Sequence, residues 1–118
     1  MRNSRSSLLG LAAGVLAVLL GLNGWERLQS ERLGTRLATL ARPGDVAMIS
    51  SESCTYCARA RAWFGANGVP FAECFIETDA ACAARFRALM APGTPVLLVR
   101  GETQVGFSPQ RVVAALER

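Results

Sequence analysis

Apolar and polar positions divide the chain into three parts. Leu8 to Leu22, reading LLGLAAGVLAVLLGL, holds no charged residue. Extended through Trp25 it reaches about 18 residues, near the lower limit for a helix that crosses a bilayer. Trp25 falls where aromatic side chains settle at a membrane interface. A cleaved export signal has a similar basic start and apolar run, but Leu22-Asn23-Gly24-Trp25 lacks the small residues of a cleavage site. The pattern therefore predicts an uncleaved, single-pass anchor over residues 1–25, in contact with the membrane through residues 8–25. Residues 26–42 turn polar, with Leu33, Leu37 and Leu40 at helical spacing. They read as a helical stalk or linker, or as a first helix lying on the C-terminal domain, and Arg42-Pro43-Gly44 ends them.

Residues 43–118 have the size of one small domain. Val46 to Ser50 is a short apolar run suited to a strand buried on both faces. From Cys54 to Asn67 the pattern turns helical, with Cys57, Ala60 and Phe64 on one side and Asn67-Gly68 as the stop. Pro70 to Ile76 is a second strand. Thr78-Asp79 reads as the N-cap of a helix from Ala80 to about Met90 whose inner face is expected to carry Cys82, Phe86, Leu89 and Met90. Pro95 to Arg100 and Thr103 to Gly106 form a hairpin expected to turn at Gly101-Glu102. Ser108-Pro109 opens a last helix that faces inward through Val112, Val113 and Leu116.

Charge removes one class of function. The chain carries +4, yet in residues 43–118 seven Arg balance seven Asp or Glu, so the surplus belongs to the N-terminal segments. A domain that sums to zero shows no basic face for phosphates, and no nucleic-acid partner is expected. The chain has no His and no Lys, which excludes Ser-His and Cys-His pairs, imidazole metal sites, Schiff bases and a Walker loop.

The reactive inventory is then the four cysteines. Cys54-Thr55-Tyr56-Cys57 stands where the first strand hands over to the first helix of the domain. Unpaired N–H groups and the positive end of the helix dipole stabilise a thiolate there, which makes Cys54 the nucleophile and Cys57, one turn deeper, the resolving thiol. A zinc ribbon would usually repeat the tight pair, and the remaining cysteines do not, so neither a metal nor a cofactor is implied. Cys74 and Cys82 fit small core residues, a second disulfide or a regulatory thiol; the second disulfide would indicate an oxidising compartment. Thr94-Pro95 precedes the third strand. The element order resembles the thioredoxin fold, and that resemblance implies that Pro95 is cis, with Thr94 and Pro95 facing substrate. Tyr56, between the cysteines, is a packing or rim residue with substrate contact as the further role.

With these residues in hand the domain resembles a glutaredoxin in size and element order over residues 45–118. Its fold is expected to be α/β and thioredoxin-like in the minimal form, β-α-β-α-β-β-α, preceded by the transmembrane helix. Cys54-Thr55-Tyr56-Cys57, Gly93-Thr94-Pro95 and Gly106-Phe107-Ser108-Pro109 are similar to motifs of the periplasmic Dsb disulfide isomerases. Glutaredoxins usually carry a Lys before the first cysteine and Gly-Gly-x-x-Asp after the hairpin, and both are replaced here. The resemblance implies a thiol–disulfide oxidoreductase acting on thiols and disulfides of exported proteins, and an exported domain would in turn need a redox recycling partner, in the membrane or outside it. The alternatives are a glutathione-linked glutaredoxin facing the cytoplasm and a non-catalytic thiol adaptor for assembly.

Orientation draws on two opposed signals. Arg27, Arg32, Arg36 and Arg42 after the span outnumber Arg2 and Arg5 before it, which favours a cytoplasmic domain. The short basic start leading directly into an apolar run is the layout of an export signal and favours an inner-membrane protein with a periplasmic domain.

Overall fold

The computed structural model describes residues 2–118. Eight elements succeed one another: α1 Arg2–Leu40, β1 Val46–Ser50, α2 Thr55–Ala66, β2 Ala72–Phe75, α3 Ala80–Ala88, β3 Val96–Val99, β4 Glu102–Val105 and α4 Pro109–Leu116. Residues 1–32 and 33–118 form separate compact units, divided within α1. The first unit carries a helical stretch long and apolar enough to cross a membrane, with none of its apolar window buried.

In the second unit the strands lie in the order β2-β1-β3-β4. β1 and β2 are parallel, with Met48 beside Glu73 and Ser50 beside Phe75. β3 runs antiparallel to β1, and β4 antiparallel to β3. Side chains alternate across this sheet, so each strand feeds two cores. Val46, Met48, Leu97 and Val99 meet Leu37 and Ala41 of the α1 end, Ala60 and Phe64 of α2, and Val112 and Leu116 of α4. Ile49, Val96 and Leu98 meet Cys82, Phe86 and Leu89 from the α3 side. β3 is buried at all four positions because helices cover both faces.

Of the two readings of residues 26–42, the end of α1 behaves as a first helix of the domain: residues 33–42 join 43–118 in one compact unit, with Leu37 fully buried and Ala41 nearly so. Gly34 gives this segment its close approach, since a Cβ there would collide with the Asn67 side chain at the end of α2. Two further expectations, on the hairpin turn and on Met90, are corrected. The hairpin turns at Arg100-Gly101, one residue earlier than expected. Val99 pairs with Glu102, and both turn residues take positive φ (47° and 85°), as a two-residue hairpin turn requires. Met90 points outward at 88% exposure. The helix has already ended at Ala88, and the left-handed backbone at Met90 (φ 51°) turns its side chain from the face that Phe86 and Leu89 occupy.

Candidate functional site

β1 ends at Ser50, buried in the middle of the sheet, and the loop 51–53 delivers Cys54 to the start of α2. Cys54 is the N-cap, with extended backbone, and its Sγ accepts a hydrogen bond from the Cys57 N–H at 3.0 Å. A cap oxygen ordinarily takes this bond. Sulfur in its place receives the same N–H and the same dipole, and no acidic residue lies in the first turn to oppose a thiolate. The two cysteines are joined as a disulfide, their Cα atoms 5.2 Å apart. Cys57 is fully buried beside Ala60 and Phe64, while Cys54 is partly open to solvent. The pair is thus built from one partly exposed and one buried cysteine.

The loop before Cys54 is held from across the sheet. The Ser51 hydroxyl donates to the Glu77 carboxylate, and the Glu52 N–H donates to its other oxygen at 3.2 Å. Cys54 N–H in turn donates to the Ser51 carbonyl at 3.2 Å. These two donors, the Ser51 hydroxyl first, hold the Glu77 carboxyl below its ordinary value. Glu77 comes after β2, 26 residues beyond Ser51, and no local pattern marked it. The Glu52 side chain itself is exposed.

Thr94-Pro95 is a cis peptide bond, and Pro95 is buried at the head of β3. Tyr56, Thr94 and Pro95 share the wall of one cleft of about 640 Å³, together with Arg59, Phe107 and Arg111. Neither cysteine lines the cleft, but Tyr56, which does, stands between them in the chain. Tyr56 is 67% exposed and is therefore a rim residue rather than a packing one. Arg59 stands over its ring at 5.7 Å. Arg59 and Arg111 were not singled out from the sequence, because each reads as one more surface arginine until α2 and α4 bring them to the same cleft.

Cys74 and Cys82 form a second disulfide that ties β2 to α3, within the core on the α3 side of the sheet. Cys82 is buried, and all four cysteines are paired. Among the described residues, no three or more ligating side chains gather to hold a metal ion.

The edge strand β2 carries a further charged contact. Arg61 of α2 donates to both oxygens of Glu73, at 2.7 and 2.5 Å, and this guanidinium holds the Glu73 carboxyl below its ordinary value of 4.5. A depressed carboxyl contributes stability above its unfolded pKa and loses it as pH falls through the folded one. The thermal midpoint of the wild type is therefore expected to fall as acid is added below pH 4.5. Glu73→Gln should begin lower and fall less steeply over that interval. Parallel pH profiles for the two proteins in a melting experiment would contradict the assignment.

A glutaredoxin family model matches residues 46–104, from the first residue of β1 into β4. Among solved structures, a point mutant of a thioredoxin-like protein superposes with a TM-score of 0.56 at 21% identity, covering 63% of this chain and 96% of that one. The glutaredoxin of Archaeoglobus fulgidus gives 0.51 at 15%, over 63% of this chain and 87% of its own. The methanoredoxin of Methanosarcina acetivorans gives 0.52 at 18%, over 64% and 87%. At these identities the structural likeness is one of fold. No curated protein matches the sequence.

Proposed function

The chain belongs to the glutaredoxin family, and on that premise we propose that it is a membrane-anchored oxidoreductase that exchanges disulfides with exported proteins through Cys54 and Cys57. The observation that carries the proposal is the Cys54 sulfur at the head of α2, bonded to the Cys57 N–H and flanked by the cleft of Tyr56, Thr94 and Pro95. In the dithiol form the Cys54 thiolate attacks one sulfur of a client disulfide, forming a mixed disulfide and releasing the other client sulfur as a thiolate. Cys57, losing its proton, then attacks Cys54 Sγ. The client's remaining thiolate leaves, the client is reduced by two electrons, and the Cys54–Cys57 disulfide is formed. Run in reverse, the same steps oxidise a client dithiol. A dithiol or disulfide protein in the membrane restores the starting form, and the potentials of the two couples set the direction.

Thr94 and Pro95 receive the client as an extended segment, whose backbone pairs with the Thr94 peptide groups. Export is supported by the second disulfide, since such bonds persist in oxidising compartments. The arginine count, four after the span against two before it, opposes export.

The test of topology is labelling. After brief reduction of intact spheroplasts, a charged, membrane-impermeant thiol reagent is expected to modify the wild-type protein more than Cys54→Ser. A difference that appears only after the membranes are lysed would place the domain on the cytoplasmic side.

A further inference from the structure

The cleft beside the cysteine pair is cationic although the charges of residues 43–118 sum to zero. Arg61, Arg100 and Arg118 are engaged with Glu73, Asp45 and Glu102. Arg59 of α2 and Arg111 of α4 have no carboxylate partner among the described residues, and both line the cleft. Arg59 lies over the Tyr56 ring. Arg111 is steadied from the hairpin, its Nη2 donating to the Val105 carbonyl at 2.9 Å. No Asp or Glu belongs to the lining. The remaining wall is apolar and open, with Tyr56 67% and Val105 44% exposed.

Such a surface discriminates between classes of thiol. A carboxylate gains two forked guanidinium donors, whose planar geometry suits it better than a point charge would. Glutathione carries two carboxylates for each ammonium and is drawn by the same charge, so what favours a polypeptide segment over it is the apolar wall and the extended backbone. An internal segment of a polypeptide has all its backbone amines in amides, so acidic side chains beside its cysteine bring only the favourable sign. Its apolar side chains can lie against Tyr56 and Val105.

We propose that Arg59 and Arg111 make this cleft selective for protein disulfides flanked by Asp or Glu, held in extended form. The inference rests on the reading of Cys54–Cys57 as an exchanging pair and adds the substrate class. The full-length protein, reduced and held in non-ionic micelles, is mixed with quenched fluorescent peptide disulfides identical except for Asp, Asn or Lys beside the reacting cysteine. Glutathione disulfide is the small-molecule probe. The Asp peptide should react about tenfold faster than the Asn peptide, the scale of one or two partly exposed ion pairs, and the Lys peptide slower still. The Asp preference should shrink as salt is raised.

Arg59→Gln combined with Arg111→Gln should bring the Asp and Asn rates together. Arg59→Glu should favour the Lys peptide, and Arg111→Lys should keep a preference for Asp, which a damaged fold would not. Equal rates for the Asp and Asn peptides with wild-type protein would overturn the proposal, provided Cys54→Ser is inert in the same assay. So would a preference that survives loss of both arginines, or faster reaction with glutathione disulfide than with the Asp peptide. If no peptide is reduced and wild type matches Cys54→Ser, the exchange reading itself fails and the selectivity falls with it.

Discussion

Cys54→Ser is expected to lose disulfide exchange by about a thousandfold or more, because the attacking thiolate has no substitute. Cys57→Ser is expected instead to accumulate as a mixed disulfide with its client. The asymmetry comes from the geometry. Cys54 caps α2 as a partly exposed residue whose sulfur is bonded to an amide, while Cys57 is fully buried one turn on. A hydroxyl at position 54 would take the same N–H bond, so the variant should keep its fold and lose only the chemistry. Rates of peptide disulfide reduction check the first outcome. Non-reducing electrophoresis of protein recovered from membranes checks the second, where a client adduct carried by Cys57→Ser should disappear in the double variant. An adduct formed through Cys57 in the Cys54→Ser protein would reverse the assignment of the two sulfurs.

The second large effect is on stability, and it concerns the segment that the sequence left as stalk or first helix. Leu37 is fully buried against Val46, Met48 and Phe64 in the larger core. Truncating such a leucine to alanine costs about 2–5 kcal/mol, the lost transfer energy together with the cavity left behind. A domain of this size holds about 5–10 kcal/mol in all. Leu37→Ala should therefore lower the urea midpoint by a large fraction without changing the potential of the cysteine pair. A soluble chain beginning at Glu26 should unfold cooperatively, whereas one beginning at Pro43 should show a broad transition or none. A cooperative transition of equal midpoint for the chain from Pro43 would show that Leu33 to Arg42 contribute nothing to the core.

What was legible in the sequence was short-range. Asp79 and Ser108 are recognisable as caps because a cap bonds an amide three residues ahead, within its own turn, and Cys54 as the point where the helical pattern starts. The four strands come from runs of apolar residues between turn signals, and Thr94-Pro95 was marked by its place before one of them. Misplacements were equally local. Met90 continues the apolar spacing of α3 but lies beyond the helix end, so its periodicity no longer describes a face. The hairpin turn slipped by one residue because Arg100 accepts positive φ beside Gly101, where the sequence suggested Gly101-Glu102.

By itself, then, the sequence determined a membrane-length apolar helix, the order of strands and helices, and the placement of a cysteine pair at a helix start. Each depends on residues within one or two turns of one another. Tertiary structure alone decided that Glu77 holds the loop before Cys54, that Arg59 and Arg111 share a cleft with Tyr56 and Pro95, and that Cys74 meets Cys82. It also decided that Leu37 belongs to the domain core. These pairings join positions that no helical or strand period relates. The loop and cleft pairings exist because the sheet order β2-β1-β3-β4 sets β1 between β2 and β3. The ends of β1, β2 and β3, together with the helices packed over them, are brought to the same edge only when that sheet has formed.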